Sequence, residues 1–256
     1  MSNFAGNFLT GGKLQPWAQP LLPRLAGPDT VGLRRHSPFT PRKRYSMSAD
    51  KSSSWSYAED LPAEDEVMLR ARERSFELGV SAISPGVGAV LTVLAAASKA
   101  QTAVEIGTGA GVSGVCLLRG LGPHAVLTTI DVDVEHLRAA REAFAEAGSP
   151  ANRTRTISGR AGDVLPRLTD GAYDLVFIDA DKPGLPGYVE QAIRLLKRAG
   201  LLIINDALDK DKVANPAGRE PNTVTLRQVG KAIRDDERLA SAMLPTGDGL
   251  LVAVKK

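Results

Sequence analysis

The stretch Val104-Glu105-Ile106-Gly107-Thr108-Gly109-Ala110-Gly111-Val112-Ser113-Gly114 decides how this chain is read. A short apolar strand, Ala103–Ile106, runs into closely spaced glycines and then into a helix, Val112–Arg119. Glycine is needed where backbone turns tightly and comes close to a ligand. The first amides of the next helix point into the same space. Gly109-x-Gly111-x-x-Gly114 matches the dinucleotide fingerprint. A tight turn with no ligand is the bland alternative.

Outward from this turn, strands and helices alternate. Towards the N-terminus the pattern predicts a charged helix over 63–79 and an apolar one over 85–99, opened by Pro85. Towards the C-terminus it predicts strand Ala125–Ile130, helix Val134–Glu146, strand Thr154–Ser158 and a short helix near Val164–Leu168. Strand Leu175–Ile178, helix Leu185–Lys197 and strand Leu201–Ile204 follow. A polar loop, Asp209–Pro221, leads to helix Thr223–Arg234. Strands Leu239–Leu244 and Leu250–Val254 then flank a Gly247-Asp248-Gly249 turn, a hairpin signal. The expected fold is α/β: one domain, seven strands, a mostly parallel sheet with helices on both faces. The hairpin requires one antiparallel strand, expected at the sheet edge.

Composition narrows the function classes. The 256 residues are 43% hydrophobic and 24% charged, ordinary for a globular chain. The lone Cys116 excludes an internal disulfide framework and a cysteine zinc cluster. His36, His124 and His136 are too scattered for a histidine metal site. No apolar run approaches the ~20 residues of a membrane span. The net charge of +3 is unevenly placed. Residues 1–46 hold seven Lys/Arg and one Asp, so this leader carries +6 and the remainder −3. The leader also holds six of the sixteen prolines and lacks periodicity, as expected of a disordered tail or of a start mis-assigned upstream of Met47. A transit-like segment or an anion-binding arm are the functional alternatives. Residues 47–256 form the expected domain. No secretory apolar core precedes a cleavage site, so a cytoplasmic location is expected.

Two further positions carry chemistry. Asp131 ends the second strand, where an acid can accept both ribose hydroxyls of an adenosine ligand. Tyr173-Asp174-Leu175-Val176-Phe177-Ile178-Asp179-Ala180-Asp181-Lys182 delivers Asp179 to a strand's carboxyl end, where open α/β sheets bind ligands. The next apolar strand delivers Asn205 and Asp206 to the same edge. If the two strands are neighbours, these three hard oxygen donors suit Mg²⁺.

The overlapping Glu105-x-Gly107-x-Gly109-x-Gly111 resembles the first motif of S-adenosylmethionine-dependent methyltransferases. With Asp179-Ala180-Asp181-Lys182, Gly159-Arg160-Ala161 and Gly247-Asp248-Gly249-Leu250-Leu251-Val252, the chain resembles the cation-dependent O-methyltransferases of the catechol and caffeoyl-CoA type and their bacterial relatives. The resemblance runs from about residue 60 to the C-terminus. It implies a Rossmann-like class I methyltransferase fold and an S-adenosylmethionine- and Mg²⁺-dependent enzyme. The methyl acceptor would be a small catechol-like or vicinal-diol molecule.

By resemblance, Glu105, Gly107 and Ser113 match positions around the methionine part of the cofactor, with Thr108 and Gly109 in the same turn. Asp131 matches the ribose acid, and Ala161, beside Arg160, a residue at the adenine. Ile83 and Ser84 fall near a pocket-lining segment. Asp179, Asn205 and Asp206 match the metal ligands, and Lys182 the base that takes the acceptor's proton. The order Asn205-Asp206 reverses the usual Asp-Asn, leaving open which contacts the metal. Asp209 stands where relatives often carry a Trp that packs on an aromatic acceptor. The resemblance also implies a homodimer.

Other readings make different use of these residues. A tRNA methyltransferase of the same fold would use Arg153, Arg155 and Arg160, against a body charge of −3. A nicotinamide oxidoreductase explains Gly109–Gly114 and Asp131 but not the acidic strand ends. Lys182 could simply pair with Asp181. Trp55 and Tyr57 could fold over the cofactor entrance, and His136, at the start of an amphipathic helix, is expected to be exposed.

Overall fold

The computed structural model describes residues 51–256; the expectations for the leader, residues 1–46, lie outside them. Seven strands form one sheet: β1 (Thr102–Ile106), β2 (Val126–Asp131), β3 (Thr154–Ser158), β4 (Tyr173–Ile178), β5 (Leu196–Ile204), β6 (Leu239–Leu244) and β7 (Leu250–Lys255). Their order is β3-β2-β1-β4-β5-β7-β6. β1 pairs in parallel with β2 on one side and β4 on the other, so the order reverses at the β1/β4 boundary. The carboxyl ends of two strands that diverge in this way leave a crevice between their following loops.

The antiparallel strand is not the edge strand. β7 runs against both β5 and β6, so it alone is reversed, and the edge strand β6 runs with the rest. From the Gly247–Gly249 turn the chain folds back, and β7 inserts between β6 and β5. Regular pairing of β5 with β4 covers Leu201–Ile204, the stretch marked by its apolar run. The preceding Leu196–Gly200 joins through a register shift and bends at Ala199, whose φ is 62°.

Helices cover both faces. In β4, Leu175 and Phe177 point into one core, and Val176 and Ile178 into the other. The first core is closed by α2 (Glu66–Glu77), α3 (Pro85–Ser98), α4 (Val112–Gly120) and α5 (Val134–Glu146). The second is closed by α6 (Ala161–Val164), α7 (Leu185–Leu195) and α8 (Pro221–Asp235). Burial on both faces is why these strands read as unbroken apolar runs.

One helix has no counterpart in the sequence reading. α1 (Lys51–Asp60) buries none of its residues, and its Ser-rich sequence has no apolar stripe to reveal it. No helix among the described residues is long and apolar enough to cross a membrane.

Several polar residues are structural. Asp174 accepts from the amides of Gln101 and Thr102 and pairs with Lys197 at 2.7 Å, tying β4 to β1. Asp133 caps α5 by accepting from Glu135 N. Arg153 donates to the carbonyls of Leu118, Leu121, Gly122 and Ala125, which terminates α4. These bonds hold its guanidinium against the end of α4.

Phe144 of α5 closes the first core under the glycine turn. It is 2% exposed, and a Cβ on Gly114 would lie 2.6 Å from its ring. Phe144→Ala should cost about 3–5 kcal/mol, as for other buried aromatics. Urea unfolding checks this; an unchanged midpoint would mean that the turn does not rest on that ring.

Candidate active site

The glycine turn is shaped by what cannot be there. Gly107 has φ 90°, and a Cβ on it would fall 1.9 Å from the Asp179 carbonyl oxygen. Only glycine lets the ends of β1 and β4 touch at this point. Asp179 N in turn donates to Ile106 O at 2.8 Å. Gly111, also at φ 90°, opens α4 against the Ala140 backbone.

Beneath the turn lies a closed polar chain. Ser113 Oγ donates to Glu105 Oε1 at 2.6 Å, and Thr129 Oγ1 to Glu105 Oε2 at 2.7 Å. Thr108 Oγ1 is 2.6 Å from Thr129 Oγ1. A hydroxyl has one proton, so Thr129, donating to Glu105, accepts from Thr108. Glu105 is fully buried and does not reach the cleft above it. Burial pushes its carboxyl up to about 7; the Ser113 and Thr129 hydroxyls oppose this, and the charges of Asp179 and Asp131 add to it. The expectation of Glu105 beside the methionine part thus becomes a floor residue that orients Ser113, which does line the cleft.

Asp131 organises the turn from the side. Its Oδ2 accepts from the amides of Thr108 and Gly109, both at 3.0 Å. Its Oδ1 accepts from Asp133 N at 2.9 Å and lies 3.3 Å from His136 Nδ1. His136 is therefore not a free surface residue: it is half-buried and lines the cleft beside the acid.

The cleft holds about 1000 Å³. Its walls bring together Ile83, Gly107, Thr108, Gly109, Ser113, Asp131, Arg160, Ala161, Asp179, Lys182 and Asp206. A smaller hollow of about 260 Å³ shares Ile83 and Asp206 with it and adds Ser84, Asn205, Gly247 and Asp248. β4 and β5 are neighbours, so Asp179, Asn205 and Asp206 meet at one edge, as expected. Burial, then the Asp206 charge, push the Asp179 carboxyl up to about 6, while the Asn205 side chain and Lys182 hold it down. Asn205 is 4% exposed; its Nδ2 donates to Asp206 Oδ1 at 3.1 Å, and its Oδ1 is buried without a partner. Among the described residues, no group of three or more His, Cys, Asp and Glu is arranged to hold a metal; this set has two carboxylates and an amide.

Lys182 Nζ donates to Asn205 O at 3.3 Å and forms no ion pair among the described residues. Asp181 is engaged elsewhere, accepting from Gly184 N at 2.8 Å and Tyr188 OH at 2.7 Å. Burial, with Asp181 next, pushes the Tyr188 phenol up to about 12, so it serves as a donor and a wall.

Trp55 and Tyr57 are exposed and absent from the cleft lining. Asp209, at φ 51°, turns to the hydroxyl of the buried Thr223 and ties the loop to α8. The loop from Asp209 to Asn222 lines neither the cleft nor the hollow. Arg72 was also not legible as a site residue. It grips Glu64 with two nitrogens at 2.6 and 2.7 Å and donates to Ile83 O at 2.7 Å, fixing the segment that forms the cleft wall. In sequence it was one charge among many on a helix.

A profile of the O-methyltransferase family matches residues 58–256. The chain belongs to the O-methyltransferase family. A protein of Mycobacterium tuberculosis named as an O-methyltransferase is 47% identical over 203 residues, which is 79% of this chain and 91% of that one. A crystal structure from Corynebacterium glutamicum superposes with a TM-score of 0.74 at 35% identity, covering 80% of this chain and 96% of that one. The O-methyltransferase TomG of Streptomyces achromogenes, involved in tomaymycin synthesis and solved with SAM, gives 0.72 at 26% identity over 82% of this chain and all of its own. For this O-methyltransferase, the fold expected from the resemblance holds, and the oxidoreductase reading is set aside.

Glu105 offers a pH test. An ordinary Glu loses its proton near 4.5, and this one near 7. Between those values the folded chain binds more protons than the unfolded one, so the buried carboxyl lowers stability as pH rises. Glu105→Gln should gain roughly 3 kcal/mol relative to wild type between pH 4.5 and 7.5. Urea melts at the two pH values check it, and a constant difference would show an unperturbed carboxyl.

Proposed function

We propose that this O-methyltransferase moves a methyl group from S-adenosylmethionine to one hydroxyl of a small vicinal diol, with a divalent cation at Asp179, Asn205 and Asp206 and Lys182 as base. One observation carries the reading. The cleft at the β1/β4 crevice has a glycine turn and a strand-end acid on one side, and an unpaired lysine beside hard oxygen donors on the other.

The residues fit both groups. Asp131, at the end of β2, already gathers amides on both carboxylate oxygens, which aims it at a ribose diol. Ala161, buried at the first turn of α6, leaves a flat apolar space for an adenine. The buried, unpartnered Asn205 Oδ1 lacks a positive partner, and the Asp179 and Asp206 carboxylates repel one another. That is a donor set of the kind a hard cation takes.

When bound, S-adenosylmethionine would supply an electrophilic methyl on sulfur, and a cation held by Asp179, Asn205 and Asp206 would lower the pKa of an acceptor hydroxyl. The chain's own part is alignment and proton transfer. The Gly107–Gly111 turn, held rigid by Asp131 and the Glu105 chain, fixes the methyl donor. Lys182 Nζ accepts the proton of the attacking hydroxyl as the carbon–oxygen bond forms and the carbon–sulfur bond breaks. Its tether to Asn205 O keeps it over the diol side of the cleft.

Two measurements test this. S-adenosylhomocysteine should raise the melting temperature of wild type, and Asp131→Ala should weaken its binding by about tenfold or more. Methylation of catechol should require added Mg²⁺ after chelation, and Lys182→Met should lower kcat by about 10²–10⁴ while S-adenosylhomocysteine binding stays unchanged. Full turnover in the presence of a chelator would sink the metal assignment, and a Lys182→Met enzyme of wild-type kcat would sink the base.

A further inference from the structure

α1 is a helix that nothing in its own composition holds in place. It buries no residue, yet one of its side chains, Glu59, reaches two other elements at once. Glu59 Oε2 accepts from Gly86 N in the first turn of α3 at 2.9 Å. Glu59 Oε1 accepts from Gly247 N in the β6–β7 turn at 2.8 Å. Both amides are orphans of their elements, one at a helix start and one in a tight turn, and a carboxylate is the strongest acceptor for such groups.

The absence of a side chain on Gly86 leaves room for the carboxyl, since a Cβ there would lie 2.5 Å from it. Gly247 stands at φ 54°, a conformation that favours glycine, and a Cβ there would lie 2.6 Å from the Val87 side chain.

The contact borders the smaller hollow. Ser84, Val87, Gly247 and Asp248 are walls of that hollow, beside Asn205 and Asp206. The turn held by Glu59 also holds the loop that follows these two residues. Leu208 N donates to Asp248 O at 2.9 Å, Ala207 N to Gly249 O at 3.0 Å, and Lys210 N to the Asp248 carboxylate at 2.7 Å. A line of hydrogen bonds thus runs from α1 to the segment carrying the oxygen donors.

We infer that Glu59 is a positioning residue: it latches α1 across the hollow beside Asp206 and thereby sets the walls that receive the methyl acceptor. This rests on the proposed diol-methylating reading for its substrate but on geometry alone for its latch. The two hydrogen bonds of the latch share no partner with those that hold Asp131 and the glycine turn at the adenosyl end of the cleft. Acceptor and donor binding should therefore respond differently.

The test uses the full chain with Glu59→Ala and Glu59→Gln. Glutamine has one carbonyl oxygen, so it can keep only one of the two amides. Two readouts are independent. Hydrogen–deuterium exchange follows peptides spanning residues 51–60 and 245–250; steady-state kinetics with catechol and S-adenosylhomocysteine titration follow the site. Glu59→Ala should speed exchange in both peptides and raise the catechol KM about tenfold, the scale of one lost charge-assisted hydrogen bond. The Kd for S-adenosylhomocysteine should stay within about twofold, on the same reasoning. Glu59→Gln should fall between. Unchanged exchange in both peptides would overturn the latch. Faster exchange with an unchanged KM would overturn the positioning role, and so would parallel loss of S-adenosylhomocysteine binding. If wild type turns over no diol, the substrate reading fails by itself, and the exchange data alone then decide for or against the latch.

Discussion

The close approach of β1 and β4 at Gly107 is the constraint on which the rest depends. No other residue can stand at φ 90° with the Asp179 carbonyl where its Cβ would be. Because the two strand ends touch, the glycine turn and the acidic strand end share one crevice rather than two separate edges. The donor side and the acceptor side of a transfer reaction must lie within a bond's reach of each other. That proximity is set here by a missing methyl group on the backbone.

Around this contact, negative charge is concentrated under little positive compensation. Glu105 and Asp179 are both raised above the ordinary carboxylate range by burial; the charges of Asp179 and Asp131 add to the shift of Glu105, and that of Asp206 to the shift of Asp179. In Glu105 two hydroxyl donors, Ser113 and Thr129, satisfy both oxygens and oppose the upward push of burial. Asp179 has no such cage, and its neighbour Asn205 has a bare carbonyl oxygen. The two carboxylates therefore differ in kind. One stabilises the turn from below, and the other lines the cleft beside an unsatisfied carbonyl oxygen.

The segments around the cleft and the smaller hollow are fixed by residues that look ordinary in sequence. Arg72 and Glu64 pin Ile83, Asp209 pins the loop to α8, and Glu59 joins α1 to α3 and to the final turn. Each is a charged side chain that would be assigned to solvent by composition. Each instead satisfies backbone groups or a partner that folding has left short of hydrogen bonds.

What the sequence determined by itself is local in origin. Apolar runs placed the inner strands β1, β4 and β5, because both faces of the sheet are buried there, while β3 was placed by its alternation with helices and β6 by the hairpin turn. The spacing of Gly107, Asp131, Asp179, Asn205 and Asp206 at strand ends located the cleft, because strand ends of a parallel sheet lie along one edge. Tertiary structure decided the rest. The reversed strand became β7 rather than the edge strand because β7, and not β6, pairs with β5. α1 was invisible, since it is held by one carboxylate and not by an apolar stripe. His136 entered the cleft, and Glu105 sank beneath it, because register and helix rotation set which way a side chain points. Such choices depend on which long-range partners are present, and one strand's residues do not contain that information.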